Sequence, residues 1–233
     1  EFMGYYKFPN RDPKNRSHFV VMYHSYMYST SYHTGYEVGT MDGLTNATNV
    51  RKYPWGPAHE VGHSNQHTPL LRWIGTTEVT NNIQSLLVQT TWGNPSRLTE
   101  ENRYQAAFEE IIIGGAAHGQ ANIWHKLVSM WQLELFFNRV LGRTDFYASI
   151  YEGARKRPTG SNHGEYQLNF VKLVADSAKA DLTEFFEAWG YLKPINISVE
   201  DYSTAQLTIT TTQSNATKQY IKNKNFEVLP YKI

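Results

Sequence analysis

Residues 55–66 read WGPAHEVGHSNQ and carry the pattern that decides how this chain is interpreted. Within them, His59, Glu60 and His63 form an H-E-x-x-H motif. Residues four apart lie on the same face of a helix, so both imidazoles can reach one metal ion. Glu60 then lies beside the open coordination position, where it can take a proton from a water. Because Pro57 suits the first turn of a helix, the stretch predicts a metal-binding helix.

A catalytic metal ion usually has three protein ligands, and four residues downstream of the motif are candidates for the third. They are His67, Glu78, Glu100 and Glu101. His67 would lie about 6 Å further along the same helix, too far from an ion that already bridges the histidine pair. Glu100 and Glu101 fit exposed charges at a helix start. Glu78 begins the next predicted helix, which can fold back on the first, so we predict that Glu78 is the third ligand.

Asn82 follows Glu78 by one helical turn and lies on the same face. Its side-chain oxygen could accept the second N–H of a ligating imidazole, since zinc histidines almost always have such an acceptor. An amide on the surface of the helix explains the residue equally well. Both interpretations stay open at the level of sequence.

The composition excludes several classes of site and of partner. The 233 residues include no cysteine, which excludes disulfides, thiol nucleophiles and cysteine-based metal sites. A formal net charge of +1 gives no support for binding to nucleic acid. The longest early stretch without Asp, Glu, Lys or Arg is rich in Tyr, His, Ser and Thr, so we expect no transmembrane segment. With 40% hydrophobic residues the chain can bury a sizeable core.

The pattern along the chain predicts an α+β fold: a mainly helical domain with a small β-sheet and a small mixed C-terminal module. We place the main domain at residues 1–193 and a small αβ module packed on it at residues 194–233. The predicted strands are 18–22, 26–36, 197–199 and 207–211, and the predicted helices are 57–66, 78–90, 104–113, 123–141, 163–175, 182–189 and 216–224. Residues 5–17 and the glycine-rich segment after residue 36 are predicted to be loops.

Several segments resemble the enhancin-like zinc metallopeptidases, which are of the gluzincin type. They are residues 26–28 (YMY), 32–36 (YHTGY), 55–66, 77–82 (TEVTNN), 127–133 (LVSMWQL) and 185–190 (FFEAWG). The resemblance covers most of the chain and is more specific than the metal motif alone. The family's domain has further β-rich sequence before the first of these segments, which is why we expect the catalytic domain to be truncated here.

The resemblance implies a function as well as a fold. It implies that one zinc ion is bound by His59, His63 and Glu78, and that Glu60 is the general base in peptide-bond hydrolysis. It also implies a substrate class, glycosylated proteins such as mucins, and a secreted or cell-surface location, as for the bacterial enzymes and the baculovirus enhancins. No signal peptide is recognisable in the sequence. We expect a monomer.

Two groups of residues have roles that the sequence leaves open. Tyr36, His163 or Tyr166 could stabilise the oxyanion of the reaction. Most of the aromatic residues are expected in the core, for instance Phe108, Trp131, Phe136 and Phe137. Trp92 and Tyr32 could instead line a groove where sugar rings stack on aromatic faces. The remaining histidines, among them His18, His24, His118 and His125, are expected on the surface or hydrogen-bonded in the core.

Two other functions compete with that of an endopeptidase. The first is a non-catalytic glycan- or mucin-binding module on a peptidase scaffold. The second is a zinc aminopeptidase, which needs an acidic anchor for the free amine of its substrate. The sequence contains no G-x-M-E-N-type segment that would supply this anchor.

Overall fold

Helices form most of the structure, and two of the longer ones carry the predicted metal ligands. The computed structural model of the chain describes residues 18–24, 26–157 and 159–230. Its α-helices are α1 (Met41–Thr45), α2 (Ala47–Lys52), α3 (Trp55–Asn65), α4 (Thr77–Thr91), α5 (Arg97–Glu100), α6 (Arg103–Ala107), α7 (Ile123–Glu134), α8 (Phe146–Lys156), α9 (His163–Ala178), α10 (Thr183–Ala188) and α11 (Thr211–Lys222). π-Helical turns at Phe108–Ile113 and Leu135–Val140 extend α6 and α7.

The strands form small sheets at the two ends of the described chain. They are β1 (His18–Met22), β2 (Met27–Ser29), β3 (His33–Glu37), β4 (Ala180–Asp181), β5 (Ile195–Glu200), β6 (Thr204–Ile209) and β7 (Glu227–Val228). In the first sheet β3 is central, parallel to β1 and antiparallel to β2. β5 and β6 form an antiparallel hairpin, and β4 pairs with β7 in parallel. The architecture is the α+β fold that the sequence predicts.

Helices α3 and α4 pack closely because the motif contains a glycine at their contact. A Cβ atom on Gly62 would lie 2.6 Å from the backbone oxygen of Asn81, so no larger residue fits there without a shift. The opposite face of α4 enters the core, where Val79 and Ile83 are fully buried. The apolar spacing of α4 thus orients the helix, and Gly62 brings it against α3.

The core is rich in aromatic side chains, as the composition predicts. Trp131 and Phe137 are buried, and Phe108 and Phe136 pack against the same cluster from partly buried positions. Side chains of β6 and α11 belong to this cluster too, namely Leu207, Ile209 and Ile221. The boundary between residues 1–193 and 194–233 itself remains a prediction. No helix in the described ranges is both long and apolar enough to cross a membrane.

Some of the predicted elements are wrong or incomplete. The glycine-rich segment after residue 36 is not a loop, because it forms a 3₁₀ turn (Val38–Thr40) followed by α1 and α2. Asn46 begins α2 by accepting the backbone N–H groups of Thr48 and Asn49, a side-chain cap that offsets the low helix propensity of the segment. Helix α8 is not among the helices that the sequence predicts. The loop predicted for residues 5–17 lies outside the described residues.

The residue that precedes α4 does not cap the helix with its side chain. This residue is Thr76, and its hydroxyl donates to the backbone oxygen of Trp73. The N–H of Thr77 is accepted by the side chain of Asp201, which lies at the tip of the β5–β6 hairpin. A residue distant in the sequence therefore accepts a free backbone N–H in the first turn of the helix that carries Glu78.

Candidate metal centre

His59, His63 and Glu78 lie together where α3 and the first turn of α4 meet. His59 Nε2 is 3.0 Å from Glu78 Oε2, and His63 Nε2 is 3.4 Å from Glu78 Oε1. The two Nε2 atoms are 3.2 Å apart. Each residue offers one ligand atom, and the three atoms lie within 4.8 Å of one another, so the group could hold one metal ion. The helix spacing places the histidines on one face, and the antiparallel turn brings Glu78 opposite them.

Two amide oxygens orient the imidazoles, each by a contact with the Nδ1 atom of one ring. His59 Nδ1 lies 2.8 Å from Asn82 Oδ1, and His63 Nδ1 lies 3.0 Å from Gln66 Oε1. An amide oxygen can only accept, so each Nδ1 carries the proton and each Nε2 is left with a lone pair facing the centre. Of the two interpretations of Asn82, the structure agrees with the acceptor, because the side chain is buried and its oxygen contacts His59 Nδ1.

Gln66 is the hydrogen-bond acceptor for His63 Nδ1. It is not among the residues that the sequence predicts for the site. Its amide nitrogen donates to the backbone oxygen of Thr77 and to the hydroxyl of Thr80, both on α4. These bonds fix which end of the amide faces His63. The signal was present, because Gln66 follows His63 by three residues and ends the same helix.

Asn81 adds a third amide to the centre. Its Nδ2 lies 3.1 Å from His63 Nε2 and 3.3 Å from His59 Nε2, and the side chain is completely buried. Asn81 is not among the predicted site residues, because it lies off the helix face that Glu78 and Asn82 share. The tight contact at Gly62 brings Asn81 close enough to reach both rings.

The carboxyl group of Glu78 is held in its charged form. Burial alone would raise its pKa, but the adjacent imidazoles of His59 and His63 and the hydrogen bond from Tyr202 hold the pKa well below its usual range. For His59, burial works to lower the pKa, and the bonds to Glu78 and Asn82 outweigh it, so the pKa is raised.

Glu60 lies beside the same ligands. Its side chain is 7% exposed, and burial raises the pKa of its carboxyl group, while the nearby His59 and His63 oppose the shift. A carboxylate whose pKa moves toward neutrality is better suited to accept and return a proton. The placement fits the part that the motif predicts for this residue.

Among the described residues, none of the three predicted oxyanion donors forms a hydrogen bond to His59, His63 or Glu78, so their part in the reaction stays a prediction. Tyr36 is buried on β3 and stacks on Phe19. Burial and, to a lesser extent, the nearby Glu60 raise the pKa of Tyr36 to about 12. His163 and Tyr166 lie on α9, where His163 Nδ1 accepts the backbone N–H of Ile74. The phenol that does reach the centre is that of Tyr202, whose hydroxyl donates to Glu78 Oε1 at 2.7 Å. No sequence signal connects Tyr202 with the motif.

The other candidates lie away from the centre. His67 is beyond the end of α3, and Glu101 forms ion pairs with Arg97 and Arg103. Trp92 follows the last residue of α4, about 21 Å along the helix from Glu78. Tyr32 is exposed in the turn between β2 and β3. That turn approaches α3, because Ser29 at the end of β2 bonds to Ser64.

Four histidines were expected outside the site. His18 and His24 are exposed. His118 is buried against the ring of Tyr191, and His125 pairs with Glu110.

The fold and the centre together define a domain of the metallopeptidase type. The family model described as "Peptidase M60, enhancin and enhancin-like" matches residues 1–190, and the chain belongs to this family. The resemblance seen in the sequence is thereby confirmed.

Three similar proteins illustrate the relationship. TRPM8 channel-associated factor 2 of Mus musculus is 30% identical over 173 residues, which are 68% of this chain and 18% of that protein. A metallopeptidase solved in complex with Tn antigen matches with a TM-score of 0.78 and 25% identity, over 89% of this chain and 40% of the other. A metallopeptidase from Bacteroides thetaiotaomicron matches in fold with a TM-score of 0.82 and 24% identity, over 98% and 41%. The chain thus spans less than half the length of each.

Proposed function

We propose that this chain is the zinc-binding part of an endopeptidase that hydrolyses peptide bonds in glycosylated proteins such as mucins. The observation that carries the proposal is the juxtaposition of His59, His63 and Glu78 with Glu60 beside them. Membership of the peptidase family supports the same reaction class. In this proposal the three ligands bind one zinc ion and Glu60 is the general base.

The distances between the ligand atoms support zinc as the metal. Zinc in proteins is usually tetrahedral with bonds of about 2.0–2.1 Å to nitrogen or oxygen, which puts neighbouring ligand atoms about 3.3 Å apart. The separations of 3.2 Å between the two Nε2 atoms, and of 3.0 Å between His59 Nε2 and Glu78 Oε2, are close to that value. Two neutral imidazoles and one carboxylate are also a donor set typical of catalytic zinc.

In the proposed reaction each of these residues has its own role. Zinc bound by these ligands would supply a water of lowered pKa and would polarise the scissile carbonyl. Glu60 takes a proton from that water as its oxygen bonds to the carbonyl carbon. Glu60 then returns the proton to the amide nitrogen as the C–N bond breaks, so that one water is consumed and a carboxylic acid and an amine are formed. Asn82 and Gln66 keep the imidazoles in the tautomer that binds metal through Nε2.

The substrate class rests on the relatives. One similar metallopeptidase was solved in complex with Tn antigen, which is a glycan-bearing ligand. On this chain, Tyr32 offers an exposed ring in the turn next to α3, where a sugar could stack. We further propose that the protein acts as a monomer outside the cell or at its surface, with residues 1–193 as the catalytic domain and 194–233 as the module packed on it.

A non-catalytic binding module is the alternative. It is favoured by one observation, the similarity to TRPM8 channel-associated factor 2, whose name describes association with a channel and not hydrolysis. The two functions differ in what they need from the centre, because binding of a glycan can survive removal of the metal and hydrolysis cannot.

One experiment separates the two functions. The protein is incubated with a defined O-glycopeptide and with the same peptide lacking the glycan, with and without a chelator, and fragments are identified by mass spectrometry. The proposal predicts chelator-sensitive cleavage of the glycopeptide and about one zinc per chain by elemental analysis. Binding of the glycopeptide that survives chelation, without fragments, would establish the module instead.

A further inference from the structure

The tip of the β5–β6 hairpin is bonded to the start of α4. Asp201 Oδ2 accepts the backbone N–H of Gly75 at 2.8 Å and that of Thr77 at 3.1 Å. A carboxylate that accepts the free N–H groups at the beginning of a helix also interacts favourably with the helix dipole. The hairpin tip is therefore tied to the turn that presents Glu78.

The same segment is held from its buried side by a lysine. Lys126 Nζ donates to the backbone oxygens of Gly75 and Gly119, at 3.0 and 3.2 Å, and the side chain is buried. Its charge and that of Asp201 attract each other across the segment. The backbone N–H of Ile74 also donates to His163 Nδ1. Together these contacts fix the segment that precedes α4.

Tyr202, the next residue of the hairpin, is directed at the centre by this arrangement. Its backbone has a φ of +59°, a left-handed conformation that is uncommon for a residue with a large side chain. The side chain is 84% exposed, so burial in the core does not explain its position. Its hydroxyl donates to Glu78 Oε1 at 2.7 Å. Within the described part of the chain, the one hydrogen bond of this hydroxyl is thus to a predicted metal ligand.

We propose that Tyr202 is a positioning residue of the metal centre, which holds Oε1 of Glu78 so that Oε2 stays directed toward the ion. Asp201 places Tyr202 by tying the hairpin to α4. The inference rests on the proposed zinc centre and extends it, because residues 201 and 202 lie beyond residues 1–190, where the family model matches. A segment of the predicted C-terminal module would then complete the centre.

The test is the zinc affinity of the Tyr202→Phe variant, measured by competition with a chromophoric chelator. Phenylalanine keeps the ring and removes only the hydroxyl, so folding should be unaffected. Loss of a partner that orients a ligand typically weakens metal binding by about 10–100-fold, and we expect a change in this range. Tyr23→Phe is the matched control, because Tyr23 is 87% exposed and lies on the segment after β1.

A second readout distinguishes positioning from a general structural effect. With Co²⁺ in place of zinc, the visible absorption reports the geometry of the ligands. We expect the spectrum of Tyr202→Phe to differ from that of the parent and that of Tyr23→Phe to match it. A zinc affinity of Tyr202→Phe that equals that of the parent, together with an unchanged cobalt spectrum, would overturn the proposal.

The contribution of Asp201 is tested by a double-mutant cycle. Asp201→Ala should also weaken zinc binding, and combining it with Tyr202→Phe should add little, because both changes remove the same support of Glu78. Fully additive effects would show that Asp201 does not act through Tyr202. A parent protein that binds zinc but cleaves nothing would overturn the proposed function and leave this inference standing.

Discussion

Gly62 sets the distance between the two helices that carry the ligands. Its α-hydrogen faces the backbone oxygen of Asn81, and an added Cβ would lie 2.6 Å from that oxygen. We predict that Gly62→Ala lowers the free energy of unfolding by about 1–3 kcal/mol, because overpacking forces α3 and α4 apart. Denaturant unfolding of the metal-free protein measures this change.

Gly43 provides the control for that measurement. It lies in α1, and a Cβ there meets nothing within 4 Å. Gly43→Ala should therefore leave stability unchanged or raise it by about 0.4–1 kcal/mol, since alanine restricts the unfolded chain. Equal effects of the two substitutions would contradict the close approach at Gly62.

The amide oxygens that accept from the imidazole Nδ1 atoms lead to a second prediction about a single residue. Asn82→Leu keeps much of the side-chain volume but removes the oxygen that fixes the tautomer of His59. We expect zinc affinity to fall by about 10–100-fold in a chelator competition. The exposed amide of Asn223 serves as the control position, because Asn223→Leu alters an asparagine at the end of α11 and not on α3 or α4. Unchanged affinity in Asn82→Leu would show that the bond does not support the metal.

At the scale of elements, an acidic residue joins the two helices α9 and α11. Asp176 on α9 accepts a bond from Tyr220 and pairs with Lys224, and it also pairs with Arg157. Burial would raise the pKa of its carboxyl group, but the bonds from Tyr220 and Lys224 and the charge of Arg157 lower it. These contacts hold α11 against α9 as long as Asp176 is ionised.

The sign of the resulting pH dependence follows from that lowered pKa. The unfolded chain binds more protons than the folded chain near the ordinary pKa of aspartate, so stability rises with pH there. The contribution of Asp176 is complete above about pH 4 and is lost as the pH falls through the folded pKa. We predict that Asp176→Asn flattens the acid limb of a plot of unfolding free energy against pH. Glu187→Gln, which removes an exposed pair with Lys218, should leave that limb nearly unchanged.

The sequence predicts an element well where its own residues determine it. Helices α3 and α4 and strand β1 were found because a motif, an apolar stripe or a β-branched run lies within each of them. α1 and α2 were missed because glycine and threonine have low intrinsic helix propensity, and the tertiary structure overrides it. The predicted helices that begin near residues 104 and 123 are real, but both change to π-helical turns that periodicity does not reveal.

The residues of the site also divide into those that the local sequence predicts and those that only the tertiary structure brings together. His59, Glu60 and His63 could be found from their spacing alone, and Glu78 from the need for a third ligand. Gln66 could have been found in the same way. Tyr202 could not, because 124 residues separate it from Glu78 and only the folding of the hairpin onto α4 joins them.

At the scale of the whole molecule, metal binding should be visible as stability. The centre bridges α3 and α4, so the folded chain binds zinc more tightly than the unfolded chain does. With free zinc at about 1,000 times its Kd, the gain is about 4 kcal/mol. For a chain of this size this corresponds to a rise in Tm of about 8–16 °C.

Thermal unfolding with zinc and with chelator measures this difference. The His63→Ala variant is the control, because it lacks one ligand and its Tm should respond much less to zinc. A parent protein whose Tm is the same with and without zinc would contradict a metal centre between the two helices.

The central claim is that Glu60 performs the proton transfers of hydrolysis in a zinc centre formed by His59, His63 and Glu78. The most direct measurement compares the parent with Glu60→Gln for zinc content and for cleavage of an O-glycopeptide. Glutamine has nearly the same shape but cannot accept the proton, so zinc should stay near one per chain while cleavage falls by at least about 100-fold. Cleavage by Glu60→Gln at the rate of the parent would contradict the claim.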